Sequence, residues 1–174
     1  MLSECFYISK KSGRGLHVKR VTLISSTGGH WTQLNNIYKE FKKIESIENK
    51  VKIKLITEKN ESNKDNKKVD FLYQQDRKSK NLIFILVLNA ILSLYYVIRY
   101  RPHYVISTGA GGTILYLIFA KLMGSKVIFI ESYAKINSPT ITGKIVYKFA
   151  DIFYVQWPEM LKFYPNGIYK GSLY

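Results

Sequence analysis

Apolar and polar positions change period along the chain, and the changes mark its elements. Val21–Ser25 is a short, β-branched apolar run of the kind that fills a buried strand. Ser26–Gly29 breaks it. From about His30 to Lys43 the residues Leu34, Ile37, Tyr38 and Phe41 recur on one face of a helix. Val51–Ile56 alternates as a second strand. Residues 57–68 (TEKNESNKDNKK) lack a core-forming pattern and read as a solvated, mobile loop, and Val69–Tyr73 reads as a short strand. Further on, strands are expected over His103–Ser107, Lys126–Ile130 and Asp151–Gln156. Between them lie helices over Thr113–Met123, closed by Gly124, and from Pro139 to Ala150. Trp157-Pro158 turns into a short helix or loop, and Ile168–Tyr174 forms an extended tail.

The most apolar segment, Leu82–Ile98, has 17 residues without a charge. Arg77, Lys78 and Lys80 precede it, Arg99 and Arg101 follow, and Pro102 ends it. As a helix it would be about 25 Å long, short of the roughly 30 Å of a hydrocarbon core. It reads as a core helix under a sheet, an interfacial helix with basic flanks, or a single span. Asn89 and Ser93 count against a lipid-facing span.

Strand, turn and helix repeat in that order. Such alternation implies an α/β, Rossmann-like fold: a parallel sheet with helices on both faces. The expected organisation is a basic N-terminal arm over residues 1–20 and a single domain over residues 21–174. Ligands of such folds sit beyond the carboxyl ends of the strands, and both glycine-rich turns, Glu131 and Gln156 fall at that end.

Charge and cysteine content narrow the partners. The net charge is +15, and the excess is spread along the chain: five basic residues against one acidic in 1–20, thirteen against eight in 39–80, nine against three in 99–174. A basic surface suits anionic lipid, a phosphate-bearing substrate or nucleic acid, but no nucleic-acid-binding motif accompanies it, so no nucleic-acid partner is expected. The lone Cys5 excludes an intrachain disulfide and fits a reducing cytoplasm. His17, His30 and His103 lack metal-ligand spacing, so neither a metal site nor a cofactor is expected.

Two turns could carry chemistry. Ser26-Thr27-Gly28-Gly29-His30 joins a strand to a helix, where glycines allow close backbone approach and free N–H groups meet an anion. No Gly-Lys-Ser/Thr follows and the GxGxxG spacing is absent, so it is neither a P-loop nor a dinucleotide fingerprint. Thr108-Gly109-Ala110-Gly111-Gly112 repeats the device at a later strand. One such turn is explained by tight geometry alone; two at one sheet edge could share a diphosphate. His30 could act as base or donor, or simply contact backbone at the helix start. Glu131 ends an apolar strand. It could bind sugar hydroxyls, act as base, or pair with a lysine such as Lys135.

Together these stretches, with PHYVISTGAGG, FIESYAKINSPTITGK and ADIFYVQW, resemble the anchor subunit of the two-chain N-acetylglucosaminyltransferase of N-glycan synthesis and, more strongly, its bacterial counterparts in capsule and exopolysaccharide synthesis. The resemblance covers residues 20–174. More distantly the chain is similar to the N-terminal half of the peptidoglycan glucosaminyltransferase, a GT-B enzyme built from two Rossmann-like halves. The resemblance implies a membrane-associated glycosyltransferase subunit that binds a polyprenyl diphosphate-linked sugar. A donor-binding partner chain would supply the UDP-sugar, UDP-N-acetylglucosamine first among the candidates, and this chain alone would be inactive. Thr27, Gly28, Gly29, Thr108, Gly109, Gly111 and Gly112 would cradle the acceptor diphosphate, with His30 and Glu131 as catalytic candidates near the acceptor sugar. Ile168, Tyr169, Leu173 and Tyr174 would dock the partner. The alternative is a non-catalytic membrane scaffold that activates the donor subunit. The eukaryotic anchor subunit has an N-terminal transmembrane helix, for which residues 1–20 offer no apolar run. Attachment to the cytoplasmic face of a membrane is therefore expected from residues 82–98, peripherally or as a single pass.

Overall fold

The computed structural model describes residues 18–48, 51–76 and 79–173, with the side chains of 44–48 excepted. Among the described residues, seven strands form one parallel sheet in the order β3-β2-β1-β4-β5-β6-β7. They are β1 (Lys19–Ser25), β2 (Val51–Glu58), β3 (Val69–Leu72), β4 (Tyr104–Ser107), β5 (Lys126–Ile130), β6 (Ile152–Val155) and β7 (Ile168–Tyr169). The chain grows outward from β1 through β2 to β3, then returns across the sheet and adds β4 on the other side of β1. This reversal makes the carboxyl ends of β1 and β4 the topological switch point, where doubly wound folds hold their ligands.

Among the described residues, four α-helices cover the two faces: α1 (Gly29–Glu48), α2 (Leu82–Tyr100), α3 (Ile114–Leu122) and α4 (Ile141–Val146). Leu34, Ile37 and Phe41 of α1 pack on Val21, Leu23, Leu55 and Ile106. The other face buries Val97, Tyr116, Leu117 and Val146 against Ile24, Ile56, Val105 and Val127. The central strands β1, β4 and β5 are thus apolar on both sides and read as continuous runs, while β2, nearer the edge, alternates with Lys52 and Lys54.

Several expectations shift. Lys19 and Arg20 belong to β1 rather than to a loose arm; residues 1–17 lie outside the described residues. The expected helix from Pro139 to Ala150 is only the six residues of α4, because Thr140 caps its start and 147–149 continue as turn. Thr57 and Glu58 extend β2, and the rest of the supposedly unpatterned loop is built around Asn60, whose Oδ1 accepts from the N–H of Ser62 and Asn63 at 3.1 and 3.0 Å. The tail contributes β7.

Helix α2 is turned inside out. Its buried residues are Asn89, Ser93 and Val97, while Ile83 (77% exposed), Phe84 (65%), Val87 and Ile91 (61%) face outward. The inward polar groups fasten it to the sheet edge. Asn89 donates from Nδ2 to the carbonyl of Tyr73 at 2.9 Å and accepts the Tyr73 N–H at 2.8 Å. Tyr96 donates to the Phe71 carbonyl, and Tyr100 to Asp70, which also pairs with Lys54. Arg101 closes the helix in a left-handed conformation, donating its N–H to Val97, just before Pro102. Leu122 of α3, Met123 just after it, and Ile141 and Ile145 of α4 are also exposed.

Candidate functional site

The two glycine turns meet. β1 and β4 are neighbours, so the turns that follow them leave the same edge side by side. Three hydrogen bonds clamp them. Ser26 N–H donates to the Gly109 carbonyl at 2.9 Å, Thr108 Oγ1 donates to the His30 carbonyl at 2.9 Å, and His30 Nδ1 lies 2.5 Å from the Thr108 carbonyl. A carbonyl only accepts, so Nδ1 carries the proton of this bond. In the neutral ring the lone pair is then on Nε2, which makes no hydrogen bond to the described residues.

Two glycines are fixed by geometry. Gly28 adopts φ +71°, reversing the chain before α1. Gly109 adopts φ +97°, and a Cβ there would lie 3.2 Å from the imidazole of His30. Thr27, Gly28, Gly29 and His30 thus line one side of the switch point, and Thr108, Gly109, Gly111 and Gly112 the other. Gly111-Gly112-Thr113 forms a 3-10 turn leading into α3, its start tied by Thr113 Oγ1 donating to Ala110 at 2.8 Å.

Glu131 is placed differently. It is 1% exposed and saturated with donors. Ser132 N–H reaches Oε1 at 2.7 Å, Thr140 Oγ1 at 2.9 Å, and Tyr164 Oη reaches Oε2 at 2.6 Å. Thr140 simultaneously caps α4 by accepting the Gly143 N–H at 2.8 Å. A Cβ on Gly143 would overlap the carboxylate. Burial and this hydrogen bond hold the Tyr164 phenol well above its ordinary range. The carboxylate therefore pins the 132–140 loop, α4 and Tyr164 together and pairs with no lysine among the described residues.

The tail candidates divide. Ile168 and Tyr169 are exposed on the edge strand β7. Leu173 is buried against this chain's own core, its N–H on Gln156 Oε1 at 2.9 Å and its carbonyl accepting from Asn36 Nδ2 at 3.3 Å. Gln156 also donates to the Glu131 carbonyl at 2.8 Å. Tyr174 lies outside the described residues.

One functional candidate escaped the sequence. Glu58 ends β2, is buried, and sits against the second turn so closely that a Cβ on Gly112 would overlap its carboxylate. Burial raises its pKa above the usual 4.5, partly offset by the Gln75 N–H. A raised folded-state pKa means that stability is lost as pH climbs from 4.5 through the folded value. Glu58→Gln should accordingly raise Tm at pH 7, with the gain vanishing below pH 4.5 in thermal melts across pH.

Among the described residues, recesses open at both edges of the sheet. One of about 240 Å³ opens beside the first glycine turn, lined by Thr27, Gly28, Trp31, Asn60, Asp65 and Asn66 among others. A larger one of about 480 Å³, lined by Arg20, Arg101 and Lys126, lies at the amino edge of the sheet, away from both turns. The switch-point rule favours the smaller.

Comparison with known proteins places this architecture. The model of the family described as "Oligosaccharide biosynthesis protein Alg14 like" matches residues 21–173. The "UDP-N-acetylglucosamine transferase subunit ALG14" of Yarrowia lipolytica is 31% identical over 81 residues, covering 43% of this chain and 38% of that protein. Its human namesake is 32% identical over 88 residues, covering 47% and 41%. The chain thus spans well under half the length of these curated relatives. Among solved structures, MurG of Acinetobacter baumannii superposes with TM-score 0.64 at 16% identity, over 81% of this chain and 42% of that one. The UDP-N-acetylglucosamine 2-epimerase of Rickettsia bellii gives TM-score 0.69 at 16% identity, over 90% and 46%. At such identities these matches establish the fold alone: one Rossmann-like half of a GT-B-type molecule.

Proposed function

This chain belongs to the Alg14-like family of oligosaccharide biosynthesis proteins, and from that premise we propose that it is the acceptor-binding subunit of a two-chain glycosyltransferase. The clamp between the two glycine turns carries the reading. It ties the two glycine turns and the His30 imidazole together at one sheet edge, the placement that holding a diphosphate beside a base requires. The lipid diphosphate of a polyprenyl-linked sugar lies across the turns. His30 Nε2 takes the proton of the acceptor hydroxyl as its oxygen bonds to the anomeric carbon of the donor sugar. The bond from that carbon to UDP breaks, and its electron pair leaves on the diphosphate. Glu131 acts as a positioning residue, holding the loop that borders the crevice. The UDP-sugar, UDP-N-acetylglucosamine first among candidates, comes from a second chain docked on β7.

The outer face of α2 and its neighbours rests on the membrane, and α2 lies in the interface rather than crossing. Side-on fastening through Asn89, Tyr96 and Tyr100 supports this, because a helix held along the sheet cannot also be surrounded by lipid. Exposed Lys80, Arg99, Lys144 and Lys148 around the apolar face suit anionic headgroups. Each large side chain transferred contributes roughly 1.5–3 kcal/mol. Phe84→Glu with Ile91→Glu should therefore abolish co-flotation with anionic liposomes and leave Tm unchanged.

The activity itself is tested by transfer from radiolabelled UDP-sugars to a polyprenyl diphosphate-linked sugar, with this chain, a candidate donor chain, and both. Transfer only with both supports the proposal. Full transfer by the donor chain alone would reduce this chain to a scaffold.

A further inference from the structure

We infer that the recess between Trp31 and the Asn60–Asn66 loop is the subsite for one sugar ring of the acceptor; the inference rests on the acceptor-binding reading above. The recess adjoins Thr27 and Gly28 of the first glycine turn, so a group bonded to a diphosphate held there enters it directly. Its volume of about 240 Å³ falls below the roughly 300–1,000 Å³ of drug-sized sites and suits a single pyranose.

The lining has the composition that binds sugars. A pyranose offers an apolar C–H face and a rim of hydroxyls that both donate and accept. Trp31, partly exposed in the first turn of α1, supplies an aromatic surface and an indole N–H. The opposite wall supplies carboxamides and a carboxylate. Part of that wall is spent on holding its own shape. Asn60 Oδ1 accepts from Ser62 Oγ at 2.8 Å as well as from two backbone N–H groups. Asn63 Oδ1 accepts the Asn60 N–H and its Nδ2 donates to the Glu58 carbonyl, both at 2.8 Å. Asp65 makes no bond to the described residues, and Asn66 uses only its Oδ1, accepting from Lys68 N–H at 3.1 Å. The wall is therefore pre-organised, with Asp65 and the Asn66 amide left for a ligand. Where the two walls spring from the sheet, the buried hydroxyls of Ser25 and Thr57, paired in register, also have no hydrogen-bond partner.

The test is isothermal titration of the chain with farnesyl diphosphate and with farnesyl diphosphate carrying glucose, galactose or N-acetylglucosamine. At least one sugar should tighten binding about tenfold over the bare compound. Trp31→Ala and Asp65→Asn should bring that ratio to near one while leaving the bare Kd unchanged, and Trp31→Phe should keep most of it. The unchanged bare Kd serves as the control for folding. A sugar increment that survives in both variants, or no increment with any sugar, would overturn the subsite and leave the diphosphate site standing. Failure of every compound to bind the wild-type chain would overturn the acceptor reading as well.

Discussion

His30→Asn is expected to lower the turnover of the two-chain enzyme roughly 10²- to 10⁴-fold without lowering Tm. An asparagine amide can still donate to the Thr108 carbonyl, as Nδ1 does at 2.5 Å, so the clamp between the turns persists. What disappears is the Nε2 lone pair. The readout is kcat at saturating acceptor, with acceptor KM and Tm measured in parallel. Equal kcat in the variant and the wild type would remove His30 from the chemistry and favour a scaffold.

Glu131→Leu is expected to destabilise the fold by about 3–5 kcal/mol, since it strands buried donors that lose their only charged acceptor. For a chain of this length that corresponds to a Tm drop of roughly 10 °C. Tyr164→Phe, which removes one donor of 2.6 Å and keeps the ring packed 4.5 Å from Phe153, should cost about 1–2 kcal/mol. Glu131→Gln retains an acceptor. Its kcat per folded molecule should stay near that of the wild type if Glu131 only positions the loop. A collapse of kcat with an intact fold would make it a catalytic residue.

Much of this was readable from the chain. Parallel order follows from strand–turn–helix alternation, and the two glycine turns stand out because each interrupts an apolar strand. Long-range pairing was not readable. Glu131 ends an apolar strand exactly as a cleft residue would, and only the arrival of Tyr164, 33 positions later, turns it into a buried anchor. Glu58 and the Asn60 turn lie in a stretch so polar that it imitates disordered loop; the order comes from side-chain bonds to backbone that leave no periodic signature. In α2 nearly every position is apolar, so periodicity cannot tell which face is buried. Asn89 decides it, because the Tyr73 backbone at the sheet edge needs a partner.

That same contact has a consequence for handling the protein. An edge strand with bare N–H and C=O groups recruits foreign strands, and α2 shields part of the β3 edge by answering Tyr73 and Phe71 with its own side chains. A more soluble version should therefore be sought by recolouring Ile83, Phe84, Val87 and Ile91 with charges. Deleting the helix, or altering Asn89 or Tyr96, would trade a greasy surface for an adhesive one.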